Sequence, residues 1–120
     1  MEDLTTDAII AIHDTIIKET GGADGTLHQE PLNFLTYKLQ FIESPIEKAS
    51  FIMFYITAKR PFVDGNKRTA LTVAFMVLNQ EGYRVVTTDV ECIQLLLDIG
   101  KGDVRWPDIQ VWLEGRIEKL

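Results

Sequence analysis

The chain is short of the residues that staple or ligate small proteins: it has one cysteine, Cys92, and two histidines, His13 and His28. A single cysteine excludes an internal disulfide, and no Cys/His cluster stands at zinc-finger spacing. Cys92 falls in an apolar helical pattern and reads as a small buried hydrophobe. Basic residues are also scarce, 12 against 18 acidic ones, for a formal net charge of −6. That balance repels a phosphate backbone, so no nucleic-acid partner is expected. No stretch approaches the roughly 18 apolar residues of a membrane span, and the start MEDLTTDAII lacks a basic region followed by an apolar core. A cytoplasmic location without a membrane partner is therefore expected. With 120 residues, 46% of them hydrophobic, residues 1–120 read as a single domain with one core.

What is present is helical periodicity. Residues 7–19 carry Ile9, Ile12, Ile16 and Ile17 on one face, with Thr5 or Thr6 as N-cap and Gly21-Gly22 as the stop. His13 lies four residues after Ile9, near that face, and reads as structural. TGGADGTLHQE is a loop with turns, and a second helix begins near Pro31, placed at a first helical position, with Leu32, Leu35, Leu39 and Ile42 at helical spacing. Ser44, Pro45 and Glu47 form a capping-box start for a helix that is apolar almost all round from Phe51 to Ile56 and ends at Pro61. KRTALTVAFMVLNQEG is apolar in the same way and closes at Gly82. Thr88 and Glu91 make a second capping box, with Val90, Ile93 and Leu97 as the packing face and Gly100 as the stop. The last helix starts around Pro107 and buries Ile109, Trp112 and Leu113. YRVVTT is the only extended candidate, and no strand pair is predicted. The expected fold is all-α, with about six helices.

Between the two most apolar helices stands RPFVDGNKRTA, Arg60 to Ala70. Gly65 lets the backbone approach a ligand, and a helix starting near Asn66 offers unpaired N–H groups and the positive end of its dipole. Lys67 and Arg68 are unfavourable in a first helical turn unless an anion offsets them, and the Asn66 amide and the Arg68 fork both suit phosphate oxygens. Asp64, beside this cradle, suits Mg²⁺, which takes oxygen ligands from an acid and a nucleotide. A P-loop is excluded, because it needs a second glycine and a preceding strand.

RPFVDGNKRTA resembles the Fic/Doc signature, His-Pro-Phe-x-Asp/Glu-Gly-Asn-Gly/Lys-Arg, in the lysine version that marks the Doc (death-on-curing) branch. IAIHDTIIKETGGADG and LNQEGY resemble that branch's opening helix and the end of its core helix. The resemblance implies a compact Fic-fold bundle with the motif loop between two buried central helices. It further implies ATP and Mg²⁺ as cofactors and transfer to a hydroxyl of a target protein. In the Doc branch a phosphoryl group goes to a translation elongation factor and an antitoxin protein supplies the inhibition; most other members transfer AMP. By position, Asp64 would bind the metal, Gly65, Asn66, Lys67 and Arg68 would hold phosphates, Lys67 would favour phosphoryl transfer, and Phe62 would anchor the loop.

Arg60 departs from the pattern. The family has histidine there as general base, whereas arginine has five donors, no acceptor and a pKa above about 12. Arg60 can still stabilise phosphate charge, so binding is expected to outlast catalysis. Three accounts fit: a degenerate nucleotide- or partner-binding module, a substitution introduced because the active form is toxic, or another base such as His13, Asp14, Glu19 or Asp24. Thr15 and Glu19 match two positions of the family's inhibitory pattern, but Thr20 breaks its last, so inhibition is expected from a partner chain.

Overall fold

The computed structural model describes residues 4–120; Met1–Asp3, part of the start read above for a targeting signal, lie outside the described residues. Six helices follow in order: α1 (Thr6–Thr20), α2 (Glu30–Leu39), α3 (Pro45–Lys59), α4 (Asn66–Gln80), α5 (Asp89–Lys101) and α6 (Trp106–Glu114). Two short strands, β1 (Tyr83–Val85) and β2 (Ile117–Lys119), complete the chain. The all-α expectation holds. The radius of gyration, 13.3 Å, matches the roughly 13.6 Å of a compact domain of this length. No helix among the described residues is long and apolar enough to cross a membrane.

The start signals in the sequence act as anticipated. The hydroxyls of Thr5, Ser44 and Thr88 accept the N–H groups of Ala8, Glu47 and Glu91 at 3.1, 3.3 and 3.2 Å. Each bond satisfies a donor that a helix start leaves unpaired, worth about 1 kcal/mol. Helix α3 is central, packing on α2, α4, α5 and α6, while α1 packs on α2 and α4. Its Ile52, Met53 and Ile56 join Val73, Ala74 and Leu78 of α4 in the buried core. Each fully buried Ile, Leu or Met contributes about 1.5–3 kcal/mol.

Four local expectations are corrected. Strand β1 has a partner: Tyr83 to Val85 pair antiparallel with Lys119 to Ile117, an association across the chain that no local turn signal announces. Gly100 lies inside α5, which ends at Gly102, whose left-handed φ of 83° stops the helix. The face of α5 is also displaced. It packs through Cys92, Leu95, Leu96 and Ile99, whereas Val90, Ile93 and Leu97 are 77%, 58% and 42% exposed. Both sets obey helical spacing, so periodicity alone does not choose between adjacent stripes. Pro31 and Pro107 each occupy the second rather than the first helical position. Cys92 is buried as expected, and desolvation pushes its thiol up, which suits packing rather than nucleophilic work.

Candidate anion-binding active site

Helix α3 ends where it must. Pro61 pushes the residue before it out of the helical region, and Arg60 takes the left-handed conformation, φ 51°, with its N–H on the Ile56 carbonyl at 3.0 Å. It is the only described non-glycine residue with positive φ, a conformation costing about 1–2 kcal/mol. The following loop is held on three sides. The Pro61 carbonyl accepts from the N–H groups of Leu27 (2.7 Å) and His28 (3.0 Å), and Val63 N–H donates to Gly25 at 3.0 Å. Phe62, bridged to Thr26, buries its ring and stacks on His13 with centroids 3.8 Å apart. The Asn66 side chain accepts from Phe62 N–H and donates to its carbonyl, both at 2.9 Å. Asn66 therefore keeps one amide hydrogen for any ligand.

The loop delivers the chain to α4 through Gly65, φ 77°, a helix cap with no side chain to satisfy the first N–H groups. The left-handed conformation favours glycine, and a Cβ at Gly65 would stand 3.0 Å from Ile17 Cδ1, so that side chain would have to give way. The first intrahelical bond is Thr69 N–H to the Gly65 carbonyl, 2.9 Å, which leaves Asn66, Lys67 and Arg68 N–H without intrahelical partners. Lys67 passes over Gly100 of α5, where a Cβ would lie 3.6 Å from Lys67 Cε. Arg68 is tied to the end of α1: its Nη1 donates to the Thr20 hydroxyl and, at 2.9 Å, to the Gly21 carbonyl.

Asp64 is held open and ionised. Its Oδ2 accepts from Ala23 N–H at 3.2 Å, its Oδ1 from Gly65 N–H at 2.7 Å, and Arg68 Nη2 lies 3.6 Å away. These two backbone donors, helped by the Arg68 charge, hold its carboxyl below the usual carboxylate range against some desolvation. Gly22 makes the Ala23 contact feasible, because a Cβ there would meet Asp64 Oδ2 at 2.6 Å.

All six residues expected from the sequence, Arg60, Asp64, Gly65, Asn66, Lys67 and Arg68, line one cavity of about 330 Å³. Thr57, from the last turn of α3, joins them and was not anticipated. It is 3% exposed and its hydroxyl has no hydrogen-bond partner among the described residues. An unpaired buried hydroxyl costs about 1–3 kcal/mol, a cost that a ligand oxygen in the cavity would remove. Its only trace in the sequence is its place one helical turn before Arg60. A larger groove, about 560 Å³, runs between α1 and α4, has Thr15, Glu19 and Thr20 on its wall, and shares only Arg68 with the motif cavity.

The alternative bases lie elsewhere. His13 is fully buried behind the loop with Nε2 2.7 Å from the Asp64 carbonyl. Since a carbonyl only accepts, that nitrogen carries hydrogen. Asp14 and Asp24 gather beside His13, and Glu19 faces the α1/α4 groove.

The residues present fit a phosphate group: unpaired N–H groups, an orphan hydroxyl, three cationic side chains and a glycine that admits close approach. They also fit Mg²⁺, since each Asp64 oxygen accepts one N–H and retains a lone pair, a hard oxygen donor of the kind that ion takes. A model described as the Fic/DOC family matches residues 3–78, from α1 through the motif and most of α4. The chain belongs to the Fic/DOC family. Members generally use ATP and Mg²⁺ in nucleotidyl or phosphoryl transfer. A search of curated proteins found no match.

Proposed function

We propose that this chain is a Doc-like toxin component that transfers a phosphoryl group from Mg-ATP to a Ser or Thr hydroxyl of a target protein such as a translation elongation factor, with the transfer step impaired by Arg60. The observation that carries this reading is the uncapped start of α4, with Lys67 and Arg68 in its first turn and Asp64 beside them on one cavity. Mg-ATP, when bound, supplies the electrophilic phosphorus and the leaving group. Asp64 would hold the metal, the N–H groups of residues 66–68 would orient phosphate oxygens, and Arg68 would neutralise charge from its fixed position at the end of α1. Lys67 fills space that a glycine would leave open, which favours delivery of the terminal phosphate over AMP transfer. Thr57 adds a neutral donor to the cavity wall. An antitoxin protein would restrain the active form, in a cytoplasmic setting.

Arg60 occupies the place of the general base, and among the cavity's side chains only Asp64 is a carboxylate. With Asp64 engaged in metal binding, no group remains to take the hydroxyl proton. That observation favours a second reading, a degenerate module that binds nucleotide or a partner and performs no chemistry.

Arg60→His decides between them. The left-handed conformation that Arg60 adopts is one histidine tolerates better than most residues. In extract with ATP labelled on the α- or γ-phosphate, label from γ-ATP should reach a protein target about 10²- to 10⁴-fold faster with histidine. Label from α-ATP would identify an AMP transferase, no label from either would leave the binding module, and equal labelling with arginine would remove the general-base argument.

A further inference from the structure

Gly100 lies inside α5, has no positive φ and leaves the stop of that helix to Gly102, so no turn requires a glycine there. Glycine within a helix is less stable than alanine. What the position offers is the absence of a side chain: outside its own helix, a Cβ there would meet within 4 Å only the end of Lys67, Cε at 3.6 Å and Nζ at 3.9 Å. We propose that Gly100 is a positioning residue, a seat that lets Lys67 lie across the last turn of α5 and holds its ammonium at the motif cavity for a bound phosphate, a role that rests on reading this cavity as a nucleotide site.

Charge explains why the lysine goes there. In the first turn of α4 a cation is opposed by the positive end of the helix dipole, and no acid in that turn offsets it. Both cations of the turn leave it for the C-terminal end of another helix. Arg68 donates to the Thr20 hydroxyl and the Gly21 carbonyl at the end of α1, and Lys67 reaches the last turn of α5. A helix C-terminus carries the negative end of its dipole, which favours a cation, and here Asp98 and Asp103 outweigh Lys101 in and just after that turn. Arg68 is fixed by its two hydrogen bonds. Lys67 has no ion pair among the described residues, so packing on Gly100 and the field of α5 are what position it.

The seat also fixes what Lys67 divides. Its side chain lines the motif cavity and a second one of about 340 Å³, whose far wall includes Cys92, Ile93 and Leu96 of α5. Laid on Gly100, the lysine stem stands between the two. A free lysine is rich in rotamers, and ordering it when a ligand binds weakens affinity. One already seated loses less freedom when phosphate arrives. Alanine at position 100 would leave this arrangement intact, because 3.6 and 3.9 Å are ordinary contacts. A leucine branch would occupy the path of the lysine and turn its end out into solvent, with the α4 N–H groups and Arg68 left in place.

The test is a double-mutant cycle on the whole chain, read by calorimetry with Mg-ATP, together with NMR of the unmodified chain. In the NMR experiment the Lys67 ε-protons should show a through-space contact to the Gly100 α-protons. Gly100→Leu should weaken Mg-ATP binding about three- to tenfold, and Gly100→Ala should stay within about twofold. Position 100 is exposed and leucine is the better helix former, so the loss is not one of folding. In a Lys67→Ala background, Gly100→Leu should weaken binding no further, a result that a merely structural glycine would not give. Equal losses with and without Lys67, or absence of the NMR contact, would overturn the seat alone. Absence of Mg-ATP binding by the unmodified chain would overturn the nucleotide reading and the role of the seat together.

Discussion

Two helix starts in this chain solve the same problem in opposite ways. At the start of α5 the Thr88 hydroxyl accepts Glu91 N–H at 3.2 Å, Asp89 and Glu91 place negative charge in the first turn, and Arg116 bonds Glu91 at 2.7 Å. One of its free donors and the positive end of its dipole are satisfied within the protein. At the start of α4 the cap is Gly65, the first turn has no acid, and Lys67 and Arg68 add charge of the wrong sign for stability. Those donors face a cavity instead. The lesson is that a helix start can be read for function by what it omits: a terminus left incomplete by the chain, between rigid buried helices, is one that something else completes.

The comparison can be broken or sharpened by substitution. The largest effect falls on the loop that feeds α4: Phe62→Ala removes a buried ring stacked on His13 and should cost about 3–5 kcal/mol in chemical denaturation, together with Mg-ATP binding. Thr88→Ala at α5 should cost about 1 kcal/mol and leave Mg-ATP affinity unchanged by calorimetry. Thr57→Val should do the reverse, raising stability by about 1 kcal/mol through removal of the unpaired hydroxyl while weakening Mg-ATP binding about tenfold, the loss of one hydrogen bond to a charged oxygen. Parallel losses in both variants would erase the distinction between the two starts.

The smallest effect is on acid stability. Backbone donors lower the Asp64 carboxyl and Arg116 lowers that of Glu91, so each contributes stability that is present above its unfolded value, about 4, and lost as pH falls through its folded value. Asp64→Asn and Glu91→Gln should each flatten the stability profile below about pH 4 and lower stability at neutral pH, where the ionised group's contribution is fully present. A profile unaltered by Asp64→Asn would mean that its two N–H contacts do not persist in solution.

Much of this site was legible because its parts are contiguous. Arg60, Asp64, Gly65, Asn66, Lys67 and Arg68 span nine residues, and Pro61 and Gly65 fix the turn between two helices whose apolar patterns are unambiguous. Thr57 was not legible, because a threonine in an apolar helix carries no mark of which wall it faces. The Gly21-Gly22 turn was visible, but not that its second glycine admits the Asp64 carboxylate. His13 reads as structural from its spacing and is indeed buried, yet its bond to the Asp64 carbonyl joins residues 51 apart and has no local signal.

By itself the sequence determined the helices, the caps at Ser44 and Thr88, a first cap at Thr5 or Thr6, and the tight motif loop between α3 and α4, because these rest on backbone preferences and on contacts a few residues apart. Tertiary structure alone decided which of two equivalent stripes α5 buries, how β1 finds β2, and that His13 meets the Asp64 carbonyl while Ala23 meets its carboxylate. Those outcomes depend on surfaces brought together from distant segments, whose mutual fit is absent from any local pattern.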